Sequence, residues 1–259
     1  MKIVAFAQLR NELEKGNLEN WFKCLDVCEE IYIFDQASND GSKEFYKKYN
    51  NVHVIESPTN RFSEEIECKQ ELLTKLLLEQ PDTDWIFWLD GDTLVDGRLL
   101  KNNGEHFRKL LEVADFNKTD CIILGHYNLW RSDRYYRTDN DYHWLHNHGV
   151  RALWKNTGSL AFNITGGLHQ NQHPQGMFSE SRANFNLIHK GFSTDEQIFN
   201  RYNLYKERGQ QGYQLARLVY EDGLTVTPLE DELYPDWFVP DQSDPTTKKK
   251  IREIYEGKC

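Results

Sequence analysis

Apolar and polar positions alternate between two periods along the first third of the chain. Residues 2–8, KIVAFAQ, form a short apolar run of strand type, and residues 16–28 carry Leu18, Trp21, Phe22, Leu25 and Cys28 at helical spacing. EIYIFD (30–35) predicts a second strand, 41–49 a short helix with Ser42 at its cap, and 52–57 a third strand. Ser63 is placed to cap a long helix, with Glu64 and Glu65 in its first turn and Ile66, Leu73, Leu76 and Leu77 as its buried stripe. A fourth strand, Trp85-Ile86-Phe87-Trp88-Leu89, runs straight into Asp90-Gly91-Asp92. Strands separated by helices pair in parallel, with the helices on the faces of the sheet. Ligands of such sheets bind beyond the carboxyl ends of the strands. The residues there are Gln8 and Arg10-Asn11, Asp35-Gln36, Ser57 to Arg61, and Asp90-Gly91-Asp92.

The second half is less regular. Residues 120–130 predict a fifth strand, followed by a polar, aromatic and histidine-rich stretch, RSDRYYRTDNDYHWLHNHG. VRALWK (150–155) is expected as the antiparallel return of a mixed sheet, 156–186 as loop, and 186–192 as a short strand or turn. Residues 193–208 predict a helix capped by Ser193 or Thr194, and a tail from 228 holds four prolines before a Lys-rich helix. The expected class is α/β: a mixed, mostly parallel sheet flanked by helices, Rossmann-like in its N-terminal half. Residues 1–119 would form a ligand-binding half, 120–227 a second half of the same domain, and 228–259 a tail.

Composition narrows the functional classes. Among 259 residues, 41 acidic side chains outnumber 31 basic ones, a formal charge of -10, so bulk binding to nucleic acid or anionic membrane is disfavoured, leaving room for a local contact. Aromatics make up 13% with seven Trp, which suits core packing and sugar or base pockets alike. Five cysteines, an odd number set largely in apolar patterns, indicate a reducing compartment. With no signal-peptide pattern and no apolar run long enough to span a bilayer, the expected location is cytoplasmic.

Two constellations carry chemistry. Asp90 and Asp92, spaced to share one side of an extended chain, can converge on one cation, and carboxylates with open positions suit Mg²⁺ or Mn²⁺. FDQASNDGS (34–42) places Asp35 at a strand end before a turn into a helix; a carboxylate there can accept from a ribose hydroxyl or a base N–H. Together with AQLRNE after the first strand and WLDGDT at the fourth, this segment resembles the family 2-type glycosyltransferases with the GT-A nucleotide-sugar-binding fold. The resemblance covers residues 2–98, with three motifs in order, and departs at Gln36 and Ala37, where the family has an acid and a glycine. Farther on, LIHKGFSTDEQIFNRY resembles a segment of a subset of the family in which a histidine precedes a helix.

The resemblance implies a GT-A-like sheet and a metal-dependent transfer of sugar from a nucleotide-sugar donor, UDP-linked by preference, to a hydroxyl-bearing acceptor such as a glycan, with inversion. It implies that Asp35 and Gln36 face the base and ribose beside Arg10, and that Arg61 and Lys69 lie near nucleotide or sugar. Asp90 and Asp92 would hold Mn²⁺ or Mg²⁺ on the diphosphate, with His189 as third ligand; its nitrogen would tilt the preference toward Mn²⁺.

A catalytic base is needed to take the acceptor proton. Asp133 and then Asp139 are favoured, ahead of Asp141, Glu180 and the Asp195-Glu196 pair. His143, His146, His148, His169 and His173 form either a zinc site or an acceptor-side loop. Trp130, Tyr135, Tyr136, Trp144 and Trp154 are candidate sugar platforms. Rival readings are a nucleotidyltransferase on a similar sheet, which usually wants a Gly-rich loop where this chain has QLRNELEKGN, and a non-catalytic carbohydrate- or nucleotide-binding module.

Overall fold

The computed structural model describes residues 1–139, 149–165, 172–207, 213–219 and 223–251. Asp141, His143, Trp144, His146, His148 and His169 lie outside the described residues, as does most of the Lys-rich end.

The alternation expected in the first third is present. Strands β1 (Ile3–Leu9), β2 (Glu30–Asp35), β3 (Val52–Glu56) and β4 (Trp85–Trp88) pair in parallel, connected by α1 (Leu18–Cys24), α2 (Ser42–Tyr46) and α3 (Glu65–Glu79). Successive residues of β1 enter opposite cores. Ile3, Ala5, Ala7 and Leu9 pack with Trp21 and Phe22 of α1, whereas Val4 and Phe6 pack with Leu72, Leu73 and Leu76 of α3. Burial on both faces explains the near-continuous apolar runs of these strands.

Beyond β4 the structure adds elements to those expected. Strand β5 (Thr93–Val95) follows the Asp90–Asp92 turn at once, and helix α4 (Gly97–Phe116) covers the face of α1 with Leu99, Phe107 and Leu111. The helical pattern of α4 is broken because Lys101 is extended and Asn102, Asn103 and Gly104 are left-handed, with φ of 53°, 55° and 78°. Then come β6 (Cys121–Asn128), β7 (Tyr135–Arg137), β8 (Val150–Lys155) and β9 (Glu180–His189). β9 begins inside the stretch expected as loop. Its first residues, Glu180 to Ala183, are polar or small and largely exposed, so they carry no hydrophobic alternation. Helix α5 (Asp195–Glu207) starts in a reciprocal cap: Gln197 N–H donates to Thr194 Oγ1 at 3.2 Å and Thr194 N–H to Gln197 Oε1 at 3.1 Å. α6 (Tyr213–Val219) and β10 (Val226–Pro228) follow, β10 pairing with β7.

The main sheet has eight strands in the order β3-β2-β1-β4-β8-β6-β9-β5. β8 is antiparallel to both β4 and β6, the return expected for 150–155, and β5 is antiparallel to β9. All other strands point the same way, so the carboxyl ends of β1, β2, β3, β4, β6 and β9 share one edge. No described helix is long and apolar enough to cross a membrane.

Candidate functional site at the carboxyl edge of the sheet

Asp90 and Asp92 occupy a tight turn, not an extended strand: Thr93 N–H donates to Asp90 O at 3.1 Å, closing a four-residue turn between β4 and β5. The two carboxylates are thus placed by a turn and not by strand spacing, and the charges of Asp92 and His189 both act on Asp90. Asp90 is exposed at the tip and accepts from Trp88 Nε1 at 3.1 Å. Exposed by area, it is still surrounded by enough protein that desolvation raises its carboxyl above the usual range, against the pull of Lys69. Gly91 is required by packing: a Cβ there would stand 2.7 Å from both Leu9 Cδ2 and Glu12 Cγ.

Asp92 turns inward. Its Oδ2 lies 3.2 Å from His189 Nε2 and 3.3 Å from Arg201 Nη2. Burial would raise its pKa, but His189, by charge and hydrogen bond, and Arg201 hold it well below the usual carboxylate range. His189 ends β9 and is buried, with its Nδ1 2.9 Å from Asn128 Oδ1. An amide oxygen only accepts, so Nδ1 carries a proton, and Nε2 is the nitrogen that faces the carboxylate. That contact is favourable when a cation, a proton or a metal ion, sits between the two atoms. His126, two residues before Asn128 on β6, places its ring 5.1 Å from His189, and burial, reinforced by His189, lowers its pKa to about 3. Its Nδ1 and Asn128 Nδ2 are buried without partners among the described residues.

The backbone keeps this corner open. A Cβ on Gly191 would lie 2.6 Å from each of Arg201 Nη2, Asp92 Oδ2 and His189 Nε2, so any other residue would place a carbon where the three groups converge. Two donors each about 2.1 Å from one ion and at right angles stand about 3 Å apart, which the Asp92–His189 spacing fits. Among the described residues no three His, Cys, Asp or Glu side chains close on one point. Asp92 and His189 are thus a two-donor site, with Asp90 on the same turn, held by the indole of Trp88.

The other expected residues divide into engaged and open. Asp35 is fully buried; its Oδ1 accepts from Ser38 N–H at 2.8 Å and its Oδ2 from Tyr46 O–H at 3.2 Å, so it braces its own turn. Gln36 Oε1 accepts from Arg61 N–H at 2.9 Å, while Gln36 Nε2 is buried with no oxygen or nitrogen partner among the described residues. Ala37 takes the left-handed conformation, φ 57°, where the resembling motif has glycine. Arg61 is committed to Glu64 and, through two nitrogens, to Glu71. Lys69 is buried against Trp88, 4.2 Å from the ring, and bonds Glu65 and Gln172. Arg10 is exposed at the end of β1, with no side-chain partner among the described residues.

Of the expected bases, Asp139 is clamped by Arg137 through two nitrogens at 2.7 and 2.6 Å, and Asp195 likewise by Arg131. Glu180 pairs with Arg151 at the start of β9, roughly 30 Å from His189 at about 3.3 Å per residue. Asp133 is held only by Lys190, at 3.5 Å, among the described residues. The backbone N–H of Lys190 donates to Asp92 O at 2.7 Å, so the residue that pairs with Asp133 is itself tied to the Asp90–Thr93 turn. Trp130 and Trp154 are fully buried core rings and present no face to a ligand, a correction to their reading as platforms. Sequence reasoning missed Asn128, His126, Gly191 and Arg201. The available signals were GHYN at the end of a strand, which sets His126 and Asn128 two apart, and the Lys-Gly step after His189.

No family model matches the chain, and no curated protein matches it significantly. Among solved structures, the crystal structure of HddC from Yersinia pseudotuberculosis is similar, with a TM-score of 0.42 and 11% identity over 77% of this chain and 97% of that one. A likeness that distant carries nothing about function.

Two measurements check the division between structural and open groups. Asp35→Ala strands a buried N–H and a buried O–H and is expected to cost about 2–4 kcal/mol in chemical denaturation; a loss below about 0.5 kcal/mol would show that the turn does not rest on this carboxylate. Gly191→Ala meets three side-chain ends, one of them the buried His189 ring, and is expected to keep the fold at a cost of about 1–3 kcal/mol. The same variant should lose any stabilisation by Mn²⁺; retention of a wild-type shift would place the cation elsewhere.

Proposed function

We propose that this chain is a metal-dependent glycosyltransferase on a GT-A-like sheet, moving a sugar from a nucleotide-sugar donor, UDP-linked by preference, to an acceptor hydroxyl with inversion. The observation that carries the reading is the Asp92–His189 pair, at 3.2 Å, at the carboxyl edge of the sheet beside a corner that Gly191 keeps open. Asp92 and His189 would hold the ion, with Asp90 next to it on the same turn. Two protein donors leave positions for phosphate oxygens, and the nitrogen favours Mn²⁺ over Mg²⁺. Bound there, the ion supplies charge neutralisation to the leaving diphosphate.

The chain's own residues do the rest. Arg10 is an uncommitted cation at the end of β1, adjacent in the sheet to β4, and Lys69 is a buried cation whose field reaches Asp90. Both suit the charge that develops on the departing diphosphate. Gln36, at the end of β2, would offer its amide N–H to a carbonyl oxygen of the base in place of the Cys68 sulfur it meets here. The acceptor proton goes to Asp133, which has one long ion pair, to Lys190, where Asp139 and Asp195 are each clamped through both oxygens. A single displacement needs one such carboxylate: it takes the acceptor's proton, the acceptor oxygen bonds to the sugar carbon from the face opposite the diphosphate as the bond to the diphosphate breaks, and the carbon is inverted.

Titration calorimetry of UDP with and without Mn²⁺ tests the donor site. Wild type should bind UDP with a strong Mn²⁺ requirement, and Asp92→Asn should fold normally but lose that requirement together with most of the affinity. An Asp92→Asn isotherm matching wild type in Mn²⁺ sinks the assignment. Release of UDP from UDP-sugars separates sugar transfer from nucleotidyl transfer, which attacks the α-phosphate instead. Asp133→Asn should leave donor affinity intact and lower turnover by about 10²–10⁴-fold; wild-type turnover would remove Asp133 from the mechanism.

A further inference from the structure

Arg201 is the feature of this corner that the proposed chemistry does not use. It projects from α5, with its guanidinium over the Phe192 ring at 4.6 Å and its Nη2 3.3 Å from Asp92 Oδ2. The point 2.6 Å from Asp92 Oδ2 and from His189 Nε2 is also 2.6 Å from Arg201 Nη2. The guanidinium therefore borders the same small space that the two metal-type donors border. It is charged at every accessible pH. A divalent ion bound to Asp92 and His189 would meet this fixed positive charge at a range where repulsion is many times thermal energy, even at the effective dielectric of a protein surface.

The contact is also built to break. Arg131 meets Asp195 at 2.5 Å and Arg137 meets Asp139 at 2.6 Å, both from guanidinium groups that are almost fully buried. Arg201 meets Asp92 at the longer distance, and its side chain is 28% exposed. With that exposure, the guanidinium has a solvent side from which an anion can approach.

We propose that Arg201 is an internal competitor for the cation's place at Asp92, and that the diphosphate of the donor relieves the competition by drawing the guanidinium onto its own oxygens. Resting on the metal-dependent reading above, this makes metal and nucleotide binding interdependent. The ion is held weakly until an anion arrives that can take both charges. Coupling of this kind is reciprocal: whatever factor UDP adds to Mn²⁺ affinity, Mn²⁺ adds to UDP affinity.

The test is calorimetric titration of Mn²⁺ alone, then of Mn²⁺ in saturating UDP, on wild type, Arg201→Met and Arg201→Lys. Met keeps the apolar stem over Phe192 and removes the charge; Lys keeps the charge and controls for folding. Arg201→Met should bind Mn²⁺ alone roughly ten- to a hundred-fold tighter than wild type, the equivalent of one charge-assisted hydrogen bond that no longer has to be broken. Arg201→Lys should stay near wild type, and the factor by which UDP tightens Mn²⁺ should shrink in Arg201→Met. Mn²⁺ binding by wild type that is not tighter in Arg201→Met, or equal tightening in Arg201→Lys, overturns this inference and leaves the proposed function standing. If neither wild type nor Arg201→Met takes up Mn²⁺ even with UDP present, both fall.

Discussion

The candidate site depends on the register of a three-residue strand. β5 pairs antiparallel with β9 so that Thr93 stands opposite His189, and Lys190 N–H donates to Asp92 O at 2.7 Å. On its other side β9 runs parallel to β6 with Asn128 opposite His189. Asp92, His189 and Asn128 are thus brought together at the ends of three neighbouring strands, although 61 residues separate Asn128 from His189. A slip of one residue in either pairing would turn the side chains to the opposite face. β6 and the edge strand β5 hold β9 from both sides, which is a reason for β9 to be long and β5 to exist at all.

Charge in the described residues follows a consistent division. Asp139, Asp195 and Asp35 each have partners for both oxygens, and each pins a loop or a turn. Such carboxylates are stabilised where they are and have little left for a ligand. Asp92 shares one oxygen between a histidine and an arginine, and Asp133 has one lysine at the limit of an ion pair. From sequence these aspartates look alike. What separates them is whether a dedicated arginine or backbone donor is folded against them, and that is a tertiary property.

Legibility followed the same line. The four parallel strands and their helices were readable because each strand is buried on both faces, and the antiparallel return at 150–155 was readable from VRALWK. The start of β9 was not, because Glu180 to Ala183 offer no apolar side chain larger than alanine, and a strand made mainly by its neighbours' hydrogen bonds leaves no period. α4 does carry a helical stripe, Phe107, Leu110, Leu111 and Ala114, and only its first turns, where Asn102, Asn103 and Gly104 are left-handed, break the period. At the site, Asp90, Asp92 and His189 stood out by residue type and motif. Asn128, Gly191 and Arg201 matter only through where they are put, and spacing along the chain says nothing about that.

The two sides of the corner are built into different bodies of the molecule. The Asp90–Thr93 turn packs through Gly91 onto Leu9 and Glu12; Glu12 in turn is held by Lys15 at 2.7 Å and Asn17 at 2.9 Å. Trp21 of α1 donates its indole N–H to Leu89 O at 3.1 Å, tying the end of β4 to the same core. Arg10 and Asp92 therefore ride on one frame, fixed by the loop after β1 and by α1. Arg201 comes from α5, whose Ile198, Phe199 and Tyr205 pack with Trp130, Phe192 and Leu218 in a separate apolar cluster. A small displacement of α5 changes the distance from guanidinium to carboxylate while the frame that holds the carboxylate stays intact. His189, whose ring lies 5.3 Å from that of Phe192, rests against this second cluster as well, so the guanidinium and one donor for the cation share an apolar support while Asp92 does not.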